Sequence, residues 1–445
     1  MEFKDDCSPL VTGSCGYNPL DFKKFKKNAW IVLISFSVLY CFLYCARLNL
    51  GLAIPTMEAE TQWTAADLGL LSGIFFWTYG IGHLFNGRLS EVFGINKFIV
   101  MGVFLSAAAN ILISFQSSLI MMAVLWGFNG YFQSMLWSPG MALISNWWPG
   151  KSRGFATGFA NAFSGFGQVA AWFAIYVAFA IAPGLGWKAA FIFAPIMMVL
   201  VVLVYMFVCK SKPSMVGLKD YKEEQPEREA LEAELQRAMI ERGKFYPYIH
   251  LFSKWRFDIW LIIIAASSIA RYGLLTWIPK YYVDTFEFNP KDGIMGTVLL
   301  PLGMAFGTLI VPWYTDKYMS TNRLPAVIAC SLIAAATVFG FMQVGPGAAA
   351  SALLFIAGFF IYAINGVVWA YATDVGGRIF SGTAAGILDW AAYMGAALQA
   401  IYFGSVLTTT GNWTLVFACI IGVCVLIAVC GVIAGSGLKE KKAIV

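Results

Sequence analysis

Long apolar stretches separated by short polar connections run along the chain from residue 29 to residue 436. Each stretch is continuous and has about 20 residues or more, the length with which an α-helix crosses a bilayer. A membrane β-barrel would instead show short segments in which apolar and polar residues alternate. We therefore predict an all-α membrane protein with twelve transmembrane helices. The predicted spans are 29–54, 65–87, 98–116, 119–147, 154–183, 187–209, 257–282, 293–315, 324–343, 348–372, 381–407 and 411–436.

The composition supports this class and excludes others. Of the 445 residues, 59% are hydrophobic and only 12% are charged, about half the charged fraction of an average soluble domain. These values exclude a soluble enzyme and a disordered protein. The net charge of +6 is small and scattered, which excludes a nucleic-acid binder. The sequence has no P-loop, zinc motif or Ser/His/Asp set, so we expect no enzymatic activity, no metal and no cofactor.

The basic residues are distributed unevenly across the predicted spans. Of the 30 Lys and Arg residues, 25 lie at the two termini or in loops after even-numbered spans, and three lie on the other side: Lys188, Lys280 and Lys291. Basic residues concentrate in cytoplasmic loops. We therefore expect both termini in the cytoplasm and the chain in a cell membrane. The lack of a cleavable signal peptide favours the bacterial inner membrane.

A duplicated motif divides the chain into two halves. R-x-x-L-x-x-x-I-P occurs from Arg47 to Pro55 and again from Arg271 to Pro279, at an offset of 224. Six spans precede the charged insert 210–256 and six follow it, so we predict two pseudo-symmetric six-helix halves. Residues 227–242 within the insert predict an amphipathic helix. The predicted domains are the segment 1–28, the half 29–209, the linker 210–256, the half 257–436 and the tail 437–445.

Two arginines lie deep inside predicted spans. Arg47 and Arg271 occupy equivalent positions in the two repeats, so the symmetry places both at one level near the central axis. A charge at this depth is costly and usually faces a cavity with a partner. Asp389 is the one carboxylate well within a span, and one acid cannot neutralise two guanidinium groups. We infer that the missing negative charge arrives with a substrate. Two planar guanidinium groups, each with parallel N–H donors, match a phosphate group.

Helical spacing places polar and aromatic side chains on the same faces as these arginines. Each helix face combines aromatic rings with hydrogen-bonding groups, as the lining of a site for a polar organic molecule does. The predicted substrate-binding residues are Arg47, Arg271, Tyr40, Tyr44, Tyr79, His83, Trp137, Asn161, Tyr362, Asn365, Asp389 and Tyr393.

Two of these residues have more than one interpretation. His83 is either a satisfied structural histidine or a cavity residue that contacts phosphate or titrates. Asp389 either pairs with an arginine in the empty cavity, contacts substrate hydroxyls or carries a proton. At the cytoplasmic ends of spans two and eight, Glu91 with Arg88 and Asp316 with Lys317 predict gating contacts rather than substrate ligands.

Several of these motifs resemble those of a known family. The loops GRLSEVFG and TDKY resemble the signature of the major facilitator superfamily. YCARLNLGLAIP, GFNGYFQSMLWSPGMALISNWWPGKSRG, ARYGLLTWIPKYY and SGTAAGILDWAAYMGA resemble the organophosphate:phosphate antiporters, which include glycerol-3-phosphate and hexose-6-phosphate transporters and a related sensor. The resemblance implies that Arg47 and Arg271 bind the phosphoryl group. His83, Ser164, Pro301 and Asp389 depart from the glycerol-3-phosphate branch, so the resemblance does not name the substrate.

The leading hypothesis is a secondary transporter that exchanges an organophosphate for inorganic phosphate by alternating access. The substrate would be a sugar phosphate, glycerol 3-phosphate or a phosphoglycerate. We expect a monomer whose partners are these molecules and the lipid bilayer, with no nucleic acid. Two alternatives are a proton-coupled symporter for an organic anion such as a sugar acid, and a membrane sensor of sugar phosphates.

Overall fold

The computed structural model describes most of the chain. The described residues are 19–148, 150–219, 237, 241–243, 246–319 and 322–436. Three predicted segments lie wholly or largely outside them: residues 1–18 of the N-terminal segment, the amphipathic helix 227–242 of the linker, and the tail 437–445.

The described part of the chain is built from helices. The α-helices are Pro19–Leu43, Cys45–Glu60, Ala65–Phe93, Ile95–Ile113, Leu119–Gln133, Trp137–Trp147, Gly150–Ile181, Lys188–Val208, Tyr246–Phe252, Trp255–Phe286, Pro290–Gly296, Leu299–Tyr318, Leu324–Phe341, Ala348–Thr410 and Trp413–Gly435. Short 3₁₀ helices occupy Pro183–Leu185 and Pro213–Val216.

Twelve of the helical segments are long and apolar enough to cross a membrane, which confirms the predicted fold class. We number them span one to span twelve. They are Leu20–Glu60, Ala65–Asn86, Ile95–Ile113, Leu119–Trp147, Phe155–Ile181, Lys188–Val208, Trp255–Phe286, Pro290–Thr315, Leu324–Phe341, Ala348–Trp369, Thr383–Thr410 and Trp413–Gly435. The division at 210–256 into an N-terminal half (spans one to six) and a C-terminal half (spans seven to twelve) stays a prediction from the repeat.

One connection differs from the prediction. The sequence predicts a break between spans ten and eleven, but the backbone is helical throughout Ala348–Thr410. The connecting residues 370–382 contain no proline, the residue that most strongly ends a helix. The polar residues of this connection predict a break, but without a proline they do not end this helix.

Span one is interrupted beside the buried arginine of the first repeat. One helix ends at Leu43 and the next begins at Cys45. The carbonyl of Ala46 accepts hydrogen bonds from the side chains of Gln133 (2.8 Å) and Asn129 (3.3 Å). Side chains that insert into a helical ladder in this way bend the helix.

Span four is also interrupted, at 134–136, where one helix ends at Gln133 and the next begins at Trp137. Pro139 follows closely and has no N–H with which to continue the hydrogen-bond ladder. Because a proline cannot satisfy the carbonyl four residues before it, the chain turns at this point. After the break, Trp137 lines the central cavity, whereas Gln133 is buried beside Arg47.

Glycines allow neighbouring spans to touch through their backbones. A Cβ added at Gly303 or Gly307 in span eight would overlap the carbonyl oxygens of Phe355 and Phe359 in span ten. Small residues have this role in membrane helices because van der Waals contact, and not water exclusion, drives their packing.

We expect Gly307→Val to prevent stable folding, because its Cβ would lie 2.9 Å from the Cα of Phe359 and neither backbone can yield. Size-exclusion chromatography in detergent should show a monodisperse peak for the wild type and aggregate for the variant. Gly422→Val is the matched control, because nothing lies within 4 Å of a Cβ at that position. A monodisperse Gly307→Val protein would contradict the packing argument.

The two halves are in contact at the end of the bundle where spans one and seven finish, which we call the closed end. There Gly404 of span eleven packs against Ala65 and Gly69 of span two. Nε1 of Trp172 donates a hydrogen bond to Oγ1 of Thr297 (3.2 Å), joining span five to the C-terminal half.

An ion pair also joins spans one and seven at this end. Nζ of Lys280 contacts the carboxylate of Glu58 and lies 3.0 Å from the carboxylate of Asp284. Because the chain crosses an even number of times, residues 19 and 436 lie at the opposite end, which we call the terminal end. A site between the halves is therefore covered on the closed-end side.

Candidate functional site

Arg47 is buried between the halves and has partners for all three guanidinium nitrogens. Nε donates to Oε1 of Gln133 (3.1 Å), Nη2 to the hydroxyl of Tyr79 (2.8 Å) and Nη1 to the hydroxyl of Tyr393 (3.3 Å). The guanidinium carbon lies 4.5 Å from the ring centroid of Tyr44 and 4.3 Å from that of Tyr79. These partners are neutral, so Arg47 is oriented but not neutralised.

Gln133 is itself fixed by a second set of hydrogen bonds. Its Nε2 donates to the carbonyl of Ala46 (2.8 Å) and lies 3.5 Å from Oδ1 of Asn129. That Oδ1 also accepts from Oγ of Ser106 (2.6 Å). Buried amides with complete hydrogen bonding hold one orientation. The chain from Ser106 through Asn129 to Gln133 therefore determines where Arg47 points.

Arg271 is as buried as Arg47, but its hydrogen bonding differs. Its guanidinium carbon lies 3.9 Å from the ring centroid of Tyr362 and 4.6 Å from that of Tyr272. Nε and Nη2 have no hydrogen-bond partner among the described residues. Arg271 is 4% exposed and lines the cavity between the halves. Two buried donors on a cation are costly to leave unpaired, so this side chain is arranged for an acceptor that arrives from outside.

The cavity is narrow and lies at the centre of the bundle. Its described lining is Tyr40, Tyr44, Trp137, Asn161, Ser268, Arg271, Tyr272, Tyr362, Asn365, Trp369, Asp389, Ala392 and Tyr393. Arg47 lines a second narrow cavity beside it, on the closed-end side, with Phe76, Leu275 and Thr276 among its walls. Tyr44 contacts both arginines, so the two guanidinium groups are neighbours across one ring.

The side chains around this cavity form two levels. The first, which we call the arginine layer, holds the two arginines, the groups that contact their guanidinium groups and the groups that hydrogen-bond to those contacts: Arg47, Arg271, Tyr44, Tyr79, Gln133, Ser164, Tyr272, Tyr362 and Tyr393. The second layer lies one helical turn nearer the terminal end on the same helices. It consists of Tyr40, His83, Trp137, Asn161, Asn365 and Asp389.

Contacts in the second layer are polar and aromatic. The rings of Tyr40 and Trp137 lie 4.8 Å apart. Nε1 of Trp369 donates to Oδ1 of Asn365 (2.8 Å), which leaves the amide NH₂ of Asn365 available to a ligand. Nδ2 of Asn161 donates to Oγ1 of Thr308 (3.3 Å), across the two halves. This layer can hydrogen-bond and stack on an organic molecule.

His83 and Asp389 are in direct contact across the halves. Nδ1 of His83 lies 2.9 Å from Oγ of Ser138 and 3.4 Å from Oδ2 of Asp389. Nε2 of His83 is buried without a hydrogen-bond partner among the described residues. Asp389 is the one buried carboxylate in the described part of the chain, and the charges of Arg47 and Arg271 both act on it. The structure thus retains the charge imbalance that the sequence predicts.

The structure brings the twelve predicted substrate-binding residues together in the two layers. Their role in binding stays a proposal.

The predicted gating contacts are mostly outside the part of the chain whose side chains the structure describes. The side chains of Glu91, Arg88 and Asp316 lie outside the described residues. Lys317 is exposed, with Nζ 5.0 Å from the ring centroid of Tyr318 and 5.4 Å from that of Trp313. Its gating role also stays a prediction.

Sequence reasoning did not select Gln133, Tyr272 and the pair Lys280–Glu58 as site residues. Gln133 lies one turn before Trp137 on span four, and that spacing was a usable signal. Tyr272 directly follows Arg271, and adjacent helical residues point in different directions, so its contact with Arg271 was not expected. The ion pair joins residues 222 positions apart, and no local pattern reveals such a pair.

This fold and cavity define a multi-pass membrane protein with a central polar site between its helices. The model of the Major Facilitator Superfamily matches residues 36–400, and the chain belongs to that superfamily. It is therefore a member of a family of transporters and not an enzyme.

Curated relatives are similar over most of their length. A probable hexose phosphate transport protein of Chlamydia muridarum is 25% identical over 429 residues, covering 90% of this chain and 89% of the relative. The glycerol-3-phosphate transporter of Bacillus subtilis is 25% identical over 413 residues, covering 90% and 91%. The membrane sensor protein UhpC of Escherichia coli is 26% identical, covering 87% and 88%. The predicted resemblance to the organophosphate:phosphate antiporters is confirmed.

Solved structures show the same fold. A D-xylose-proton symporter superposes with a TM-score of 0.69 at 13% identity, covering 92% of this chain and 98% of the other. A bacterial homologue of the human lysosomal transporter Spinster, facing inward and unoccupied, superposes with a TM-score of 0.68 at 16% identity, covering 92% and 96%.

Proposed function

We propose that this protein exchanges an organophosphate for inorganic phosphate across the cytoplasmic membrane, with the phosphoryl group held between Arg47 and Arg271. The observation that carries the proposal is the state of Arg271. Its buried Nε and Nη2 have no hydrogen-bond partner among the residues that the structure describes, and the side chain lines a cavity beside a second buried arginine. The transport proteins for hexose phosphate and glycerol 3-phosphate among the relatives support the same substrate class.

The charges favour a phosphate group over other anions. Arg47 and Arg271 carry two positive charges, and a phosphate monoester carries up to two negative charges near neutral pH. A guanidinium group presents parallel N–H donors that match two phosphate oxygens at once. Nε and Nη2 of Arg271 are such a pair. Arg47 adds charge from a fixed position, because Gln133, Tyr79 and Tyr393 already orient it.

Exchange follows from the same charges. In the empty cavity the two cations repel each other, and this opposes movement of the halves that brings them closer. A bound phosphate bridges them and lowers the cost of that movement. Only loaded carriers then reorient, so inorganic phosphate leaving the cell drives uptake of the organophosphate.

The basic residues give the orientation of this cycle. Loops at the terminal end carry most of the Lys and Arg residues, which supports a cytoplasmic location for that end and both termini. The closed end, with Gly404 and the Lys280–Glu58 pair, then faces outward. The carrier proposed here acts as a monomer in a bacterial inner membrane.

The direct test is phosphate self-exchange. Purified protein is reconstituted into liposomes loaded with unlabelled phosphate, and labelled phosphate is added outside. We expect rapid entry of label that glucose 6-phosphate or glycerol 3-phosphate in the outer medium inhibits. If label does not accumulate in liposomes that contain correctly folded protein, antiport is wrong.

Gln133 provides a test of how Arg47 is positioned. Gln133→Leu removes the acceptor of Nε, so that donor becomes unpaired and the guanidinium loses its fixed orientation. The loss of one hydrogen bond to a charged group, about 1.5–3 kcal/mol, predicts at least about tenfold weaker phosphate binding. Isothermal titration calorimetry measures this change. Gln399→Leu, another buried glutamine that lies outside both cavities, should bind as the wild type does. Equal loss in the two variants would show that Gln133 has no special role.

A proton-coupled organic-anion symporter is a second candidate, and the His83–Asp389 contact favours it. Such a pair resembles a proton site inside a membrane. Uptake driven by a pH gradient and independent of internal phosphate would select this function.

A sugar-phosphate sensor is a third candidate, favoured by the similarity to membrane sensor protein UhpC. Binding of sugar phosphate without measurable flux would select it. The charged linker would then be a contact surface for a signalling partner.

A further inference from the structure

The two layers of the cavity differ in charge. The arginine layer contains both buried cations, Arg47 and Arg271. In the second layer no Lys or Arg is present among the described lining residues, and the one ionisable acid is Asp389. A phosphorylated molecule that places its phosphate in the arginine layer must extend its organic part into the second layer, because the closed end blocks the other direction.

Asp389 is well placed to meet that organic part. It lies one helical turn from Tyr393, whose hydroxyl accepts a hydrogen bond from Arg47. Asp389 is only 7% exposed, and its exposed surface lines the cavity. His83 contacts Oδ2, and an ionised carboxylate accepts several further hydrogen bonds.

The other groups of this layer bind neutral polar atoms. Asn365 presents its NH₂ group, because its oxygen already accepts from Trp369. Tyr40 and Trp137 form an aromatic wall. A hydroxyl group can donate to Asp389 and accept from Asn365. A carboxylate can accept from Asn365 but cannot donate to Asp389, and it would meet a like charge there in a site shielded from water.

We propose that Asp389 is a specificity-determining residue that accepts a hydrogen bond from a substrate hydroxyl and rejects a substrate carboxylate. The substrate class is then a phosphate ester with a neutral, hydroxyl-bearing organic part, a polyol or sugar phosphate, and not a phosphorylated acid. This inference rests on the proposed function, because it assumes that the phosphate occupies the arginine layer.

Two pairs of molecules test the proposal on the wild-type protein. Glycerol 3-phosphate and 3-phosphoglycerate differ in one group, a hydroxymethyl in the first and a carboxylate in the second. Glucitol 6-phosphate and 6-phosphogluconate differ in the same way. We expect the hydroxymethyl member of at least one pair to bind at least tenfold more tightly in calorimetric titrations at pH 7.5. Equal affinities in both pairs, tighter binding of the acids, or no binding of any of the four molecules would overturn it.

The variant Asp389→Asn assigns the preference to this side chain. Asparagine keeps a hydrogen-bond acceptor and removes the negative charge, so the affinity ratio within the discriminating pair should fall at least fivefold from its wild-type value. Asp292→Asn, which removes an exposed carboxylate outside the cavity, should leave the ratio unchanged. An unchanged ratio in Asp389→Asn would overturn the assignment. If that variant does not fold, the paired titrations on the wild type still decide whether acids are rejected.

Phosphate self-exchange, measured in parallel on the same preparation, keeps the two proposals separate. A protein that shows the affinity ratio but no exchange binds as proposed here and is not an antiporter. A protein that exchanges phosphate but shows no ratio is an antiporter in which Asp389 has another role.

Discussion

Arg271→Lys is expected to reduce phosphate exchange at least about 100-fold while the protein stays folded, because lysine offers a compact charge in place of two parallel donors. Nε and Nη2 of the present side chain make no hydrogen bond to any described residue. Replacement by lysine therefore breaks no internal hydrogen bond of these two atoms, although it also removes the packing of the guanidinium on the rings of Tyr362 and Tyr272. Initial rates of labelled phosphate entry into loaded liposomes measure it, and size-exclusion chromatography confirms the fold.

Arg47→Lys should also abolish exchange, but with a second consequence. Arg47 donates three hydrogen bonds that join spans one, two, four and eleven, so its replacement should lower the thermal stability of the empty protein as well. Arg256→Lys, at the start of span seven and outside the cavity, is the control. Wild-type exchange rates in either Arg47→Lys or Arg271→Lys would contradict the proposal that the two arginines hold the phosphoryl group between them.

Gly404→Val is expected to slow exchange at least about tenfold without preventing phosphate binding, because it disturbs the contact between the halves and not the cavity. A Cβ at Gly404 would lie 2.5 Å from the carbonyl oxygen of Ala65 and 3.2 Å from the Cα of Gly69. Span eleven would then be forced away from span two at the closed end. A carrier that cannot close at one end cannot complete the cycle, although each arginine keeps its surroundings.

Two measurements distinguish this effect from a folding defect. Calorimetry should give a phosphate affinity close to that of the wild type, whereas liposome exchange should fall. Gly422→Val adds the same side chain where nothing lies within 4 Å, and it should exchange normally. If Gly404→Val also exchanges normally, the closed end is not part of the transport cycle.

Much of the fold was predictable because the bilayer restricts what a chain can do. Spans of about 20 apolar residues must be helical, and all twelve predicted spans correspond to helices. The interruptions at Tyr44 and at 134–136 were not predicted. The interruption at Tyr44 depends on Gln133 and Asn129 reaching Ala46 from another span, and hydropathy contains no information on such contacts. The interruption at 134–136 precedes Pro139, and hydropathy does not record the effect of a proline on the hydrogen-bond ladder.

The site was predictable to the extent that helical periodicity determines it. Residues three or four positions apart share a face, so Tyr40 with Tyr44 and Asp389 with Tyr393 were expected in one cavity. The difference in hydrogen bonding between the two arginines was not predictable. The repeat makes Arg47 and Arg271 equivalent in sequence. Arg47 nevertheless has three hydrogen-bond acceptors, whereas two nitrogens of Arg271 have none in the described part of the chain. Partners supplied by other spans decide that difference.

The central claim is that organophosphate uptake requires phosphate on the other side of the membrane. The most direct measurement is uptake of labelled glycerol 3-phosphate into three kinds of liposome: loaded with phosphate, empty, or empty with an imposed pH gradient. Binding of phosphate between the two arginines predicts uptake only into the liposomes that contain phosphate, because an unloaded carrier does not reorient. Equal uptake into empty liposomes, or uptake driven by the pH gradient alone, would contradict it.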